Sequence, residues 1–116
     1  MRRGEIWTVA GGSGYAGKPR PAVIVQDDRF GATNSVILCV LTSDNVESPL
    51  LRLPVNPSAA NGLRVNCRLM LDKVTTVPRA RLGRQVGHLD GADLLRLNRG
   101  LLVFLGLAGY AGQQER

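Results

Sequence analysis

The sequence predicts a small, curled β-barrel, mainly β, with one helix at its C-terminal end. Short apolar runs of strand length recur along the 116 residues, and segments rich in Gly, Pro, Asn and Asp separate them. Leucines at helical spacing occur only near the end of the chain. A chain of this length forms one domain, which we place at 1–109, with 110–116 as a frayed tail.

The first half of the chain holds the two strands expected at the centre of the sheet. Residues 21–26 (PAVIVQ) and 35–42 (SVILCVLT) are apolar on both faces, which is typical of buried strands. A strand at 3–10 precedes them, and the glycine-rich loop 11–19 lies between it and 21–26.

The second half of the chain is predicted to add three more strands. Residues 49–55 read as an edge strand because prolines flank them, and 63–71 alternate like a half-buried strand. We expect residues 72–78 and a short turn after them to connect to a last strand at 84–89.

The C-terminal segment is predicted to be a helix with Asp90 as its N-cap and Asp93 in the first turn. Gly106 and Gly109 end it. Its second half is apolar nearly all round, so we expect it to be buried in the core or in a contact between subunits. The leucines that define the helical spacing are Leu94, Leu97, Leu101 and Leu105.

The charge of the chain indicates its partners. Fifteen Lys and Arg oppose nine Asp and Glu, which gives a net charge of +6, and thirteen of these cations are Arg. Arginine binds phosphates in bidentate fashion and stacks on bases. This balance favours nucleic acid or an acidic protein as a partner. A soluble protein that is basic without such a partner is the alternative.

The sequence lacks the residues that several kinds of chemistry require. Cys39 and Cys67 lie in strand-like runs, so we expect buried, reduced thiols, with a disulfide as the less favoured alternative. No Cys/His cluster is present, so we expect no metal and no cofactor. His88 is expected to be structural. No apolar run approaches the ~18 residues of a membrane span, so we expect a cytoplasmic protein.

Arg20 is the strongest candidate for a functional side chain. Pro19 and Pro21 restrict the backbone on both sides of it, and a buried strand follows. Thr42 ends the next strand, so antiparallel pairing places the two at one end of the sheet. A fixed cation beside a hydroxyl fits stabilisation of charge on a phosphate in transfer. Alternatively, Arg20 forms a salt bridge and the Thr42 hydroxyl bonds the backbone.

An ordered set of segments resembles the MazF/PemK (Kid) toxin family. The set runs from Arg2 to Gly106 and comprises RRGEIW, RPAVIVQDD, SVILCVLT, LMLDKVTTVPRARL and GHLDGADLLRLNRGLLVFLGL. The resemblance implies the SH3-like barrel shared with CcdB, and a homodimer. It also implies a bacterial endoribonuclease that cleaves single-stranded RNA without metal. The RNA's own 2′-OH would attack, leaving a 2′,3′-cyclic phosphate and a 5′-OH, and an acidic antitoxin would neutralise the enzyme.

The resemblance also implies site residues. Arg20 and Thr42 match the family's catalytic Arg and Thr, and no residue is assigned as the base. We predict that Tyr15 stacks on a base and that three arginines form a phosphate rail. Loop 11–19 and Asp72–Lys73 depart from the common family sequences at positions that bear on base preference. The predicted RNA contacts are Ser13, Tyr15, Lys18, Asp72, Lys73, Arg79, Arg81 and Arg84.

Two other functions compete with RNA cleavage. One is a gyrase poison like CcdB, and the other is a non-catalytic nucleic-acid-binding barrel. The C-terminal end GYAGQQER does not resemble the aromatic end of the gyrase poisons, and Arg20 with Thr42 would have no task there. For the toxin, we expect the antitoxin to compete with RNA and to displace loop 11–19.

Overall fold

The computed structural model describes residues 1–11, 18–44 and 51–109, and within them six strands and one α-helix are present. Short 3₁₀ turns at Asp28–Phe30 and Arg79–Arg81 connect some of these elements. The elements are β1 Glu5–Val9, β2 Arg20–Ile24, β3 Ser35–Thr42, β4 Arg52–Val55, β5 Cys67–Pro78, β6 Leu82–His88 and α1 Gly91–Phe104.

The described strands form one antiparallel sheet in the order β4-β5-β3-β2-β1-β6. The predicted central strands, β2 and β3, occupy the middle, and β4 lies at an edge as its prolines indicated. Because β4 and β6 do not pair, the sheet is open and curled rather than closed. The predicted mainly β fold with a C-terminal helix is confirmed.

Strand β5 differs from its prediction at both ends. It begins at Cys67 rather than 63 and continues to Pro78, so the expectation that 72–78 is a connection was wrong. Cys39 pairs with Val74 while Leu41 pairs with Leu69, so several β5 residues face a single β3 residue. This wide bulge bends β5 and lets its second half pair with the start of β3, which local sequence does not reveal.

Both faces of the sheet carry a buried apolar cluster. On one face, α1 inserts Leu97 among strand residues such as Ile6, Val23 and Leu69. The other face carries a second cluster that includes Ala22 and Val40. The helix begins as predicted, because the Asp90 side chain accepts a hydrogen bond from the Asp93 N–H at 2.8 Å. This double burial explains why β2 and β3 are apolar on both sides.

The connection between β4 and β5 is locked by a buried amide. Asn61 is 2% exposed, and its Oδ1 accepts hydrogen bonds from the N–H groups of Ser58 and Leu63, each at 2.9 Å. Its Nδ2 donates to the Asn56 carbonyl at 2.8 Å. Every polar atom of this side chain is therefore satisfied, and the loop is held in one shape.

Gly62 adopts the left-handed conformation that this loop requires. Its φ is +68°, and a Cβ at this position would lie 2.2 Å from the Val86 carbonyl oxygen of β6. The loop therefore packs directly against the backbone of β6, and only glycine fits.

We expect Gly62→Ala to lower the free energy of unfolding by about 2 kcal/mol or more, because the methyl group forces the loop away from β6. Gly91→Ala is the matched control, since a Cβ at Gly91 meets nothing within 4 Å. Urea denaturation of both variants measures the difference. Equal stability of the two variants would contradict the close packing of the loop.

Cys39 and Cys67 are free and buried, as predicted. The Cys39 thiol lies at 3.4 Å from the Met70 carbonyl oxygen, in the bulge of β5. Burial raises the pKa of Cys39 to about 12, because a thiolate there would lose its hydration. Cys39 therefore stays a neutral thiol at physiological pH and is not a nucleophile.

This pKa predicts a loss of stability at high pH. A thiol in the unfolded chain titrates near ~8.5, while folded Cys39 keeps its proton to about 12. Between these values the unfolded state has released a proton that the folded state retains. The free energy of unfolding should then fall by up to ~1.4 kcal/mol per pH unit, and the contribution is absent below ~pH 8. Urea denaturation from pH 7 to 11 should show a shallower decline for Cys39→Ala than for the unmodified chain; parallel declines would refute the assignment.

Candidate active site

Arg20 begins β2 at the end where that strand meets the glycine-rich loop. It pairs with Val9 of β1, and Ala22 pairs with Val40 of β3. Continuing the β2–β3 register by two residues places Arg20 opposite Thr42. The predicted antiparallel arrangement of these two strands is confirmed.

Thr42 ends β3 and is nearly enclosed. It is 4% exposed, and its Oγ1 accepts a hydrogen bond from the Asp44 N–H at 3.1 Å. The backbone-bonded hydroxyl that we held as the alternative is therefore present. It does not exclude a functional role, because a hydroxyl that accepts one bond still has its own hydrogen to donate.

Arg68 completes a row across three strands. It pairs with Thr42 on the side away from Arg20. Cross-strand neighbours point to the same face, so Arg20, Thr42 and Arg68 share the face that also carries Val40. We call these three residues the arginine row. The sequence did not single out Arg68, because only the pairing of β3 with β5 brings it to Thr42.

A cavity of about 490 Å³ opens at the same end of the sheet, on the face that carries Leu41 and Cys67, and we call it the Arg20 pocket. Lys18, Arg20 and Arg64 bring positive charge to it and Asp44 brings a carboxylate, so its formal charge is +2. Thr42 does not line it. Lys18 lines this pocket just before β2 begins, and its predicted contact with RNA stays a prediction. The remaining lining residues are Pro19, Pro21, Leu41, Ser43, Leu63, Val65 and Cys67.

Arg64 was missed because residues 63–71 were interpreted as one strand. In the structure it is exposed and follows the loop that Asn61 holds, before β5 begins. Arg64 lines the Arg20 pocket together with its neighbours Leu63 and Val65. A charge in a rigid loop next to a predicted catalytic arginine is placed to contact a phosphate.

Asp72 and Lys73 lie at the bulge of β5 and are exposed. Asp72 forms an ion pair with Arg52 of the neighbouring strand β4. Its carboxylate therefore has a structural partner in this conformation, and Lys73 is the more accessible of the two predicted contacts. Their role in RNA binding stays a prediction.

The three arginines of the predicted phosphate rail have different surroundings. Arg79 donates to the carbonyls of Thr33 and Gly31, so it holds the loop before β3. The Arg81 guanidinium donates to the Ala10 carbonyl at 2.8 Å, next to the start of the glycine-rich loop. Arg84 donates through its backbone N–H to the Thr8 hydroxyl at 3.0 Å, and the residue is exposed.

These contacts favour a structural task for Arg79, while the rail stays a prediction for Arg81 and Arg84. Ser13 and Tyr15 lie outside the described residues. His88 pairs with Glu5 on β1, and its N–H donates to the Ala60 carbonyl at 3.0 Å, in keeping with a structural role.

Across residues 1–11, 18–44 and 51–109, no three side chains of His, Cys, Asp or Glu come together as metal ligands would. In the same part of the chain, no helix has the length and apolar character that crossing a bilayer requires. The arginine row and the Arg20 pocket contain cations and hydroxyls, which suit an anionic polymer.

Known proteins match this chain closely. A sequence model of the PemK-like, MazF-like toxins of type II toxin–antitoxin systems matches residues 2–105. The chain belongs to this toxin family. A curated relative, the probable endoribonuclease MazF of Mycolicibacterium smegmatis, is 52% identical over 94% of this chain and 100% of its own length. Endoribonuclease MazF9 of Mycobacterium tuberculosis is 34% identical over 92% of this chain and 98% of its own.

Solved structures of toxins share the fold. A mycobacterial endoribonuclease in complex with its cognate antitoxin superposes with a TM-score of 0.73 at 24% identity, covering 92% of this chain and 96% of that chain. The MazE–MazF structure from Deinococcus radiodurans gives 0.72 at 18% identity, covering 92% and 97%. At these identities the likeness supports the fold, and the predicted family resemblance is confirmed by the sequence relatives.

Proposed function

We propose that this toxin, an endoribonuclease, cleaves single-stranded RNA with Arg20 and Thr42 at the scissile phosphate. The observation that supports the proposal is the register of β2 and β3: continued from the Ala22–Val40 pair, it brings Arg20 and Thr42 to neighbouring positions. The mycobacterial relative at 52% identity is named as a probable endoribonuclease, which supports the same activity here.

In the proposed reaction the ribose 2′-oxygen attacks the adjacent phosphorus. The P–O2′ bond forms, the P–O5′ bond breaks, and the products carry a 2′,3′-cyclic phosphate and a 5′-OH. Water takes the 2′ proton and supplies a proton to the leaving oxygen, so no other reactant is consumed. Arg20 stabilises the charge on the phosphorane, and Thr42 donates a hydrogen bond to a phosphoryl oxygen. In-line positioning of the 2′-OH supplies the rest of the acceleration.

RNA recognition is divided between phosphate and base contacts in this proposal. Lys18 and Arg64 of the Arg20 pocket bind the backbone next to the scissile group, since guanidinium and ammonium groups position a strand without reading it. Ser13, Tyr15 and Lys73 select the bases. The contacts proposed along the rest of the strand are made by Asp72, Arg79, Arg81 and Arg84.

We expect Arg20→Ala to reduce cleavage by about 10²-fold or more, because the variant loses a donor that acts on charge developing in the transition state. The substrate is a long single-stranded RNA in EDTA, and the new ends are identified chemically. Arg29→Ala is the matched control, since Arg29 lies beyond the opposite end of β2 and pairs with Asp27.

Four outcomes would contradict the proposal. Full activity of Arg20→Ala would show that Arg20 takes no part in catalysis. Products with 3′-OH ends would exclude attack by the 2′-oxygen. Binding of RNA or DNA without any cleavage by the unmodified protein would favour the non-catalytic barrel, and trapping of gyrase would favour the poison.

The proposal includes a homodimer formed through the C-terminal half of α1. A cavity of about 590 Å³ runs between this helix and the ends of β2 and β3, and we call it the helix groove. Its walls are mainly apolar, with Arg3, Asp27 and Asn98 among the polar exceptions. Apolar side chains beside it are exposed in the single chain. They are Ile37, Leu102, Val103, Phe104, Leu105 and Leu107.

A surface of this kind is typical of a subunit interface. From the sequence, the apolar second half of the helix was expected to be buried either in the core or in a contact between subunits. The exposure of these side chains favours the contact.

We expect Leu102→Asp to convert the dimer to a monomer, because it buries a charge against apolar side chains. Leu95→Asp is the matched control: Leu95 is 47% exposed against 45% for Leu102, but it does not line the helix groove. Light scattering coupled to gel filtration gives the masses. A dimer that persists in Leu102→Asp, or a monomeric unmodified protein, would contradict this interface.

An acidic MazE-like antitoxin is the proposed inhibitor. The net charge of +6 attracts an acidic segment rapidly and in a salt-sensitive manner. The Arg20 pocket offers both cations and an apolar wall, so the segment would bind where RNA binds and compete with it. The predicted movement of loop 11–19 lies almost wholly outside the described residues.

A further inference from the structure

We infer that the Arg20 pocket is a base-binding subsite, in which one nucleobase of the RNA packs against Leu63 and Val65. The inference rests on the proposed function, because it names the part of the RNA that this pocket takes. It stands on the composition of the pocket and on the loop that precedes β5.

The pocket combines cations with an apolar wall. Leu41 of β3 and Cys67 of β5 belong both to its lining and to the core beneath the helix. The other apolar residues of the lining are Pro19, Pro21, Leu63 and Val65. A nucleotide has the same two kinds of chemistry, since a flat base that packs on apolar side chains is joined to a charged phosphate. The volume of about 490 Å³ lies in the usual range of sites for small organic groups.

Val65 is the most exposed part of this wall whose side chain gains from burial. It is 56% exposed, and its carbonyl accepts a hydrogen bond from the Cys67 thiol at 3.4 Å. A single exposed aliphatic residue is ordinary on a protein surface. What distinguishes Val65 is its place in the lining of a basic pocket, where an apolar group of a ligand can cover it.

The loop before Val65 is fixed by two sets of contacts. Asn61 holds it with three hydrogen bonds made by its buried amide. The loop also lies against β6, where a Cβ at Gly87 would be 2.4 Å from the Ala60 carbonyl oxygen. The chain is therefore clamped just before it reaches Leu63 and Val65. A wall that is fixed before binding loses little conformational entropy when a base packs on it.

The charged groups of the pocket fit a base joined to its phosphate. Lys18 and Arg64 supply positive charge, and neither side chain forms an ion pair with any residue in the described part of the chain. Asp44 adds a carboxylate, which accepts hydrogen bonds from the N–H groups of a base. An acidic peptide would bring its own carboxylates towards Asp44, so the charges favour the base as occupant. None of these contacts depends on the charge of Arg20.

A purely structural Val65 predicts a different result. If the side chain only shields the loop, replacing it changes stability and leaves the choice of RNA unchanged. If it packs on a base, replacing it weakens binding through one nucleotide, and removal of that base abolishes the difference between the two proteins.

The experiment first locates a site at which the unmodified protein cuts a long RNA. A short RNA of that sequence is then made with 2′-deoxyribose at the cut nucleotide, which removes the attacking oxygen, so that fluorescence anisotropy gives Kd. Leu95→Ala is the matched control, since Leu95 is 47% exposed and does not line the pocket. We expect Kd to rise about 10-fold in Val65→Ala and to stay unchanged in Leu95→Ala.

The base is located by replacing one nucleotide at a time with an abasic one. At a single position near the cut, the unmodified protein and Val65→Ala should bind the abasic RNA with equal Kd, because the group that Val65 contacts is gone. At the other positions the difference of about 10-fold should persist. When the proteins cut RNAs randomised at that single position, Val65→Ala should show the weaker base preference.

The possible failures are distinguishable. If the unmodified protein cuts no RNA, the proposed function fails, and with it this inference. If it cuts RNA and Val65→Ala binds with the same Kd, the inference alone is overturned, and the pocket is left to an acidic protein segment. A loss of affinity that persists at every abasic position shows that Val65 contacts no base and also overturns it. Should circular dichroism show that Val65→Ala is unfolded, Val65→Thr, which keeps the shape and replaces a methyl by a hydroxyl, decides the question by the same abasic comparison.

Discussion

Strand β3 and the register of its two neighbours are the constraint on which this protein depends. Its side chains from Leu38 to Thr42 are buried on both faces, with β2 on one side and β5 on the other. A slip of one residue in either pairing would turn a whole row of side chains to the opposite face. Burial on both faces makes such a slip costly, so the hydrophobic core and the position of Thr42 between Arg20 and Arg68 are set together.

The bulge in β5 reconciles two demands on that strand. Its first half must pair with β4 under the helix, and its second half must pair with the start of β3. The strand changes direction at the extra residues of the bulge, and two of these residues, Asp72 and Lys73, are exposed. The satisfied amide of Asn61 plays a similar part in the preceding loop, which carries Arg64 to the Arg20 pocket. Irregular backbone thus delivers polar groups to the end of the sheet without disturbing its centre.

The arginines of this chain do not all have the same role. Arg3 joins the N-terminal segment to α1 and the end of β2, Arg52 pairs with Asp72, and Arg79 holds a loop. These arginines stabilise the fold. In the proposed function, the cations around the sheet end, including Arg20 and Arg64, bind the anionic substrate. Net charge alone therefore indicates a class of partner, while the contacts of each arginine indicate which of them meet it.

The sequence by itself determined the fold class, the two central strands, the start of α1 and the placement of Arg20 and Thr42 at one end of the sheet, because each depends on local patterns: continuous apolar runs, an N-cap and prolines around an arginine. The tertiary structure decided the extent of β5, the partner of Asp72 and the place of Arg68. These depend on strand pairings between residues about 25 positions apart or on bulges, which leave no periodic signal in the chain. Arg68 illustrates the difference, since it resembles an ordinary alternating strand residue until the pairing of β5 with β3 brings it opposite Thr42.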